Sequence, residues 1–353
     1  MRAMNAAVLV TGGAGFVGSH ACKALAKTGI QPITFDNLSS GHRWAVRWGP
    51  IEVGDLSNES RLDEVVRRYK PIAVMHFASL IEAGKSVDDP MSFYTNNVCN
   101  TLSLLQAMRR NGVDRLVFSS SAAVYGNPRS LPIAEDHPKN PINPYGSTKR
   151  ICEKLLAEFA VAYGLKSVSL RYFNAAGADP DGEIGEAHDP ETHLIPRVLQ
   201  TAIGERPSVS INGNNYPTYD GTCIRDFVHV SDLAEAHRLA LDRTALASGA
   251  VAYNLGSGQG HSVREVVDMA RRVTGRSIAV RIEERRPGDP ASLVADPGAA
   301  HRELGWSAAR SGLQIQITDA WNWFLNRYDR AATSHRSEPT NDNGATSENH
   351  TSV

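Results

Sequence analysis

The chain has 353 residues, of which 41% are apolar and 21% charged, the make-up of a water-soluble globular protein. At about 150 residues per domain, this predicts one large or two medium domains with ample core. The 37 basic and 38 acidic side chains leave a formal net charge of −1. With no long basic run, that balance excludes nucleic acid or an anionic membrane as the main partner.

The first apolar run, 6–10, follows Arg2 and breaks at Thr11-Gly12-Gly13, too early for a signal-peptide core. No stretch reaches the roughly 18–20 apolar residues that span a bilayer. Cys22, Cys99, Cys152 and Cys223 are scattered, with no C-x-x-C pair, so neither a cysteine zinc site nor a disulfide framework is expected. A cytoplasmic protein follows. The glycosylation-type matches at Asn58 and Asn349 are read as chance.

Short apolar runs rich in Val, Ile and Phe predict strands over 6–10, 32–35, 73–77, 115–119 and 167–172. Apolar residues at helical spacing predict helices over 18–28, 59–68, 97–111 and 145–163. Such alternation implies βαβ units: an α/β fold with a doubly wound parallel sheet covered by helices on both faces. Beyond residue 174 the rhythm loosens into Gly/Pro/Asp-rich loops at 178–191 and 213–222. Helices follow near 194–203, 230–242, 263–274 and 314–328. We expect a dinucleotide-binding domain over 1–175 that carries the catalytic residues. A smaller C-terminal α/β substrate domain, interleaved with it, covers 176–330, and 331–353 should be a disordered tail.

Directly after the first strand comes Thr11-Gly12-Gly13-Ala14-Gly15-Phe16-Val17-Gly18, then a helix. In that context Gly12 permits a tight turn, Gly15 a close approach of backbone to pyrophosphate, and Gly18 close packing of helix on strand. The helix N-terminus offers free N–H groups to the anion. Asp36 ends the second strand about 20 residues on, where a carboxylate accepts from ribose hydroxyls and repels a 2′-phosphate; NAD is favoured. Arg43, nearby, is the one feature that would suit NADP. Asp55-Leu56 suits the adenine edge.

Tyr145 and Lys149 lie four residues apart, hence on one helix face, after Asn143-Pro144. Ser119-Ser120-Ser121 ends the preceding strand, the edge at which ligands sit in such sheets. A tyrosine near pKa 10 is a poor base at pH 7. An ammonium and a nicotinium beside it would favour phenolate, and roughly 4 kcal/mol of bias covers the gap. Tyr145 would then take a hydroxyl proton as hydride leaves the same carbon, with Ser121 holding that oxygen.

These residues, with Phe35-Asp-Asn-Leu-Ser-Ser-Gly-His42, His76-Phe-Ala78, Asn96-Asn-Val98, Leu170-Arg-Tyr-Phe-Asn-Ala-Ala-Gly177, Tyr216-Pro-Thr218, Asp220-Gly-Thr-Cys-Ile-Arg-Asp226 and Arg285-Arg-Pro-Gly-Asp289, carry a resemblance. Over about residues 6–328 the chain resembles the extended short-chain dehydrogenase/reductases, and among them the UDP-glucose (UDP-galactose) 4-epimerase family. The resemblance implies Ser121, Tyr145 and Lys149 as the catalytic trio. It implies NAD contacts from Gly12, Gly15, Phe16, Val17, Gly18, Asp36, Asn37, Asp55 and Leu56. Further NAD contacts come from Phe77, Ala78, Asn97, Ser119, Tyr145, Lys149 and Tyr172. It implies a UDP-sugar held by Ser121, Asn174, His193, Leu194, Ile211, Arg225, Arg286, Asp289 and Leu293. A homodimer through the helices near 97–111 and 145–163 is also implied.

The chain departs from that pattern at Ile81, where some members carry a cofactor-contacting lysine, and at Asn212, where an aromatic often stacks near uracil. Leu293 stands at the position whose bulk gates the sugar's 2-substituent, and leucine is intermediate between tyrosine and a small residue. The implied reaction is oxidation at C4 to a 4-keto sugar and reduction of its opposite face. A nucleotide-sugar 4,6-dehydratase would need an acid/base pair where Ala122-Ala123 stand. A pentose or N-acetylhexosamine epimerase, a decarboxylase and a non-catalytic binding module are the other readings. A metal enzyme built on His188, Asp189, Glu191 and His193 lacks a regular ligand spacing, and no metal is expected.

Overall fold

A computed structural model describes residues 6–286 and 289–336. The elements, in chain order, are β1 (Ala7–Thr11), α1 (Phe16–Lys27), β2 (Gln31–Asp36), β3 (Ile51–Val53), α2 (Glu59–Tyr69), β4 (Ala73–His76), α3 (Ala83–Asp88), α4 (Pro90–Tyr94), a π turn (Thr95–Cys99), α5 (Asn100–Arg110) and β5 (Arg115–Ser121). There follow α6 (Pro144–Tyr163), β6 (Lys166–Tyr172), β7 (Asn174–Ala176), α7 (Leu194–Ile203), β8 (Val209–Asn212), β9 (Ile224–His229), α8 (Val230–Leu246) and β10 (Ala250–Leu255). The chain closes with β11 (Gly260–Ser262), α9 (Val263–Thr274), β12 (Val280–Glu283), β13 (Ser292–Leu293), α10 (Gly298–Leu304) and α11 (Leu313–Arg336).

Seven parallel strands in the order β10-β6-β5-β4-β1-β2-β3 form the main sheet. The order reverses between β1 and β4, which opens a crevice at the strands' C-terminal ends. Alternate residues of β1 feed different cores: Val8 and Val10 pack on the side of α1 and α8, Leu9 with α2, α5 and α6. Buried on both faces, these strands read as continuous apolar runs. This is the doubly wound α/β fold expected from the alternation.

The second lobe holds a small sheet in which β9 pairs with β7, β11 and β13, and a parallel pair β8–β12. Its core gathers Val198, Leu199, Val266, Ile317 and Trp321 from α7, α9 and α11. The lobes interleave: α8 and β10 follow β7–β9 of the second lobe in sequence yet complete the first sheet and its helical cover. The last helix runs through 331–336, part of the stretch read as a disordered tail; no Gly or Pro between Leu325 and Arg336 interrupts it. Residues 337–353 of that tail lie outside the described residues. Among the described residues, no helix is long and apolar enough to cross a membrane.

Candidate active site

A cavity of about 820 Å³ runs along the crevice. Its floor is the β1–α1 turn. Gly12 sits at φ +74°, where a Cβ would lie 2.5 Å from the Ala78 nitrogen, so only glycine fits between the β1 and β4 ends. At Gly15 a Cβ would meet only the Gly12 carbonyl, at 3.3 Å, so this position faces open cavity. Phe16, Val17 and Gly18 complete the turn, and α1 has no side-chain cap at its N-terminus. Its first amides therefore remain available to an anion.

Asp36 lines the far wall, its carboxylate fixed by the Ala14 and Leu38 amides at 3.0 and 2.8 Å. Burial pushes its pKa up, and those two amides oppose the shift. Asn37 and Asp55 form one unit through a 2.7 Å hydrogen bond, with Leu56 beside them. Arg43 belongs to a short turn away from the cavity lining, so the feature that suited a 2′-phosphate is out of place. Phe77, Ala78 and Tyr172 line the stretch leading towards Ser121 and Tyr145. The open Gly15 position, free helix amides and fixed Asp36 carboxylate fit a dinucleotide with an unmodified adenosine ribose.

The helix that carries Tyr145 and Lys149, α6, is fixed at its start. Asn143 caps α6 by accepting from the Gly146 amide at 2.8 Å, and Pro144 occupies the first turn. The Tyr145 amide donates to Ser86 of α3 at 3.1 Å, which sets the angle of the helix mouth. Tyr145 and Ser121 both line the cavity. Ser121 ends β5, and its Oγ accepts from the Ala123 amide at 3.1 Å. Lys149 is buried, with Nζ donating to the Ser119 carbonyl at 2.8 Å and lying 5.8 Å from the Tyr145 ring centroid.

The chain's own groups do not by themselves favour phenolate. Burial raises the Tyr145 pKa, and the nearby Ser121 hydroxyl only partly opposes it. Burial also lowers Lys149 to about 8, against a smaller pull from Cys152 and Glu153. The ammonium is anchored on a carbonyl rather than aimed at the phenol, so desolvation outweighs its help.

The two other NAD-contact residues of the sequence reading stand behind the wall. Asn97 is buried in the π turn, where its amide bonds both the N–H and the C=O of Leu80 and donates to Thr148. Ser119 shares a 2.5 Å hydrogen bond with the Tyr172 hydroxyl. Neither side chain lines the cavity; both hold residues that do. The neighbours Asn96 and Asn100 line it instead, one turn apart on either side of Asn97.

Asn174 and His193 also line the cavity. Leu194, Ile211, Arg225, Arg286, Asp289 and Leu293 lie outside its lining, in the second lobe. There Arg225 Nη2 donates to Asp289 Oδ1 at 2.6 Å, and Leu293 pairs with Arg225 in the β13–β9 register. Leu293 also packs on the cluster of Ala122, Tyr125 and Phe173 directly after Ser121. Sequence reading missed Arg197 on α7, whose guanidinium pKa is lowered by burial and then by Arg206 and Arg286. Arg206 and Arg286 both act on Arg197 through space, a proximity that their separation in sequence hid.

Sequence reading also missed Glu186. It joins His188, Glu191 and His193 in one cluster, while Asp189 stays out. Burial opposes the charged imidazoles, but Glu186 and Glu191 outweigh it and lift His188 to about 9 and His193 to about 10.

A family model described as NAD dependent epimerase/dehydratase family matches residues 8–256. The UDP-glucose 4-epimerase of Rhizobium meliloti (strain 1021) is 49% identical over 323 residues, covering 92% of this chain and 98% of that protein. The crystal structure of UDP-glucose 4-epimerase from Brucella ovis in complex with NAD is 52% identical, with a TM-score of 0.88 over 90% of this chain and 98% of that one. The UDP-glucose 4-epimerase from Bifidobacterium longum in complex with NAD+ and UDP is 37% identical, with a TM-score of 0.88 over 92% and 99% of the two chains.

Proposed function

Since the chain belongs to the NAD dependent epimerase/dehydratase family, we propose that it interconverts UDP-galactose and UDP-glucose by inverting C4. The observation that carries this is the opening of Ser121 and Tyr145 into the same cavity as the glycine turn and Asp36. NAD, when bound, supplies a hydride acceptor and donor for C4. The Tyr145 Oη takes the C4-hydroxyl proton and later returns it, while Ser121 Oγ holds the C4 oxygen in both directions. Lys149 fixes the Ser119 end of β5 and contributes positive charge behind the phenol. Water exclusion strengthens both terms.

Inversion requires the 4-keto sugar to present its other face. Binding through the nucleotide permits this, because Arg225, Arg286 and Asp289 sit outside the cavity that holds the sugar end. The family resemblance supports their assignment to the UDP moiety, and the Arg225–Asp289 pair holds two of them together. Dehydration is disfavoured by the chain itself. Ala122 and Ala123 form the turn after Ser121, where that chemistry needs an acid and a base. The place of Leu293 behind Ala122 and Phe173 supports its reading as the gate on the 2-substituent, with hexoses preferred over N-acetylhexosamines.

Purified protein given UDP-galactose, UDP-GalNAc and UDP-arabinose separately, with products followed by NMR, tests the reading. UDP-glucose should form fastest, without a lasting rise in NADH absorbance. Stoichiometric NADH release, or equal efficiency on the N-acetyl pair, would overturn the loop or the sugar assignment respectively. A homodimer in the cytoplasm belongs to the same proposal. Exposed Met91, Tyr94 and Val161, the last 91% exposed, lie on α4 and α6 near the implied interface and support it. Sedimentation should give twice the chain mass.

A further inference from the structure

The loop entering α7 carries four side chains that take no part in the proposed proton and hydride transfers, although three of them line the cavity and the resemblance gives His193 to the UDP-sugar. Glu186, His188, Glu191 and His193 each offer one ligand atom, all within 4.8 Å of one another. We infer that these four residues bind a divalent transition-metal ion of the Zn²⁺ type, which ties this loop down at the mouth of the cavity.

The distances carry the inference. His188 Nδ1 lies 3.2 Å from Glu186 Oε1 and 3.7 Å from Glu191 Oε2. His193 Nδ1 lies 2.7 Å from Glu186 Oε1 and 3.5 Å from Glu191 Oε1. Four bonds of about 2.0–2.1 Å in a tetrahedron put the ligand atoms about 3.3 Å apart, and these separations cluster around that edge. Both Nδ1 atoms are buried yet make no aligned hydrogen bond, although carboxylate oxygens surround them. Imidazole nitrogens converging with carboxylates, without N–H···O alignment, are arranged as ligands to a common centre.

The supporting shell is also present. The Glu191 carboxylate accepts from the Thr192 and His193 amides, at 2.8 Å each, which fixes its orientation. The loop backbone is held where the Ala187 carbonyl meets His42 and the Glu186 carbonyl accepts from Trp323 at 3.4 Å. Charge selects the occupant. Two carboxylates and two neutral imidazoles are neutralised by one dication. Without the ion, protons keep the same balance by charging both rings, whose centroids are 5.0 Å apart, so binding of the dication would displace those protons. A set of two nitrogens and two oxygens favours Zn²⁺, Fe²⁺ or Ni²⁺ over the all-oxygen preference of Mg²⁺ or Ca²⁺.

The ion's role is structural. It would bind irrespective of which sugar the cavity accepts. The full chain, freed of any affinity tag and stripped with EDTA, is titrated with Co²⁺ and with Zn²⁺. We expect one ion per chain retained through gel filtration, the visible d–d bands of four-coordinate Co²⁺, and a higher Tm with Zn²⁺ that EDTA reverses. His188→Gln and Glu191→Gln should each lose more than the about 10–100-fold in affinity that an outer-sphere partner costs. Absence of stoichiometric binding to the wild-type chain would overturn the inference without touching the epimerase reading. So would undiminished binding in a variant whose circular dichroism is native.

Discussion

Replacement of Gly18 by alanine isolates the contact that builds the dinucleotide floor. A Cβ at Gly18 would fall inside the van der Waals radius of the Gly12 carbonyl oxygen and lie 3.0 Å from Gly13 Cα. Both obstacles are backbone, so neither can swing aside. Restoring a C···O separation of about 3.3 Å moves the α1 N-terminus by about 1 Å. Overpacking of this kind costs about 1–3 kcal/mol, or a Tm lower by roughly 2–10 °C. It also withdraws the helix amides from the pyrophosphate. Gly15→Ala is the contrasting change, because its Cβ meets only the Gly12 carbonyl at 3.3 Å. Melting curves of cofactor-stripped protein, with NAD content of the purified variants read by chromatography, separate the two. Gly18→Ala should lose both stability and NAD; Gly15→Ala should lose NAD alone. Wild-type melting and NAD content in Gly18→Ala would refute the packing argument, as would an equal loss of stability in both variants.

Three further outcomes follow from named contacts. Lys149 has a folded-state pKa near 8, below its ordinary value, so its ammonium is intact at lower pH and is lost as pH rises through about 8. The alkaline limb of kcat/KM should fall there, and Lys149→Met should remove that limb along with most activity; an unchanged pH profile in the variant would exclude Lys149 as its origin. Lys23 of α1 joins Asp179, Asp181 and Glu183 at 2.7 Å each. Lys23→Met leaves Asp179 buried without its partner, and urea titration should show a loss of about 2–4 kcal/mol, discounted from a fully buried pair because Asp181 is exposed and Glu183 only half-buried. Asp179→Asn in that background should recover part of it. Leu293→Ala should raise the relative efficiency on UDP-N-acetylhexosamines by about 10–200-fold, and Leu293→Tyr should lower it, as read from side-by-side progress curves.

Five of the sheet's strands, β1, β2, β4, β5 and β6, were legible because each is a short apolar run bounded by Gly or polar residues, and burial on both faces leaves no competing period; the three-residue edge strand β3 was too short to register. β10 was not, since Ala250–Leu255 includes Asn254 and Tyr253, whose polar atoms are satisfied by Glu135, Ile133 and Glu303 from distant segments. The strands β8, β9, β12 and β13 were missed for a related reason: they have two to six residues each and find partners far along the chain. Helix 97–111 was read as one unit, whereas its first turn is a π turn that brings Asn96 and Asn100 to the cavity and buries Asn97. Local spacing cannot register a change of helical pitch.

At the site, Gly12, Gly15, Asp36, Ser121 and Tyr145 were readable because each occupies a fixed offset from a strand end. The Arg197–Arg206–Arg286 grouping and the place of Glu186 beside two histidines depend on tertiary proximity, and no periodicity announces them. The burial of the Tyr145–Lys149 pair is hidden for the same reason. Sequence shows a lysine one turn from a tyrosine; it does not show that both are desolvated and that the ammonium rests on Ser119.

The most direct trial of the account is the rate of UDP-galactose conversion by Tyr145→Phe, measured beside the NAD content of the same preparation. With the phenol removed and the cavity otherwise intact, turnover should fall by several orders of magnitude while bound NAD stays at the wild-type level. Near-normal turnover at full NAD content would show that the C4 proton leaves by another route.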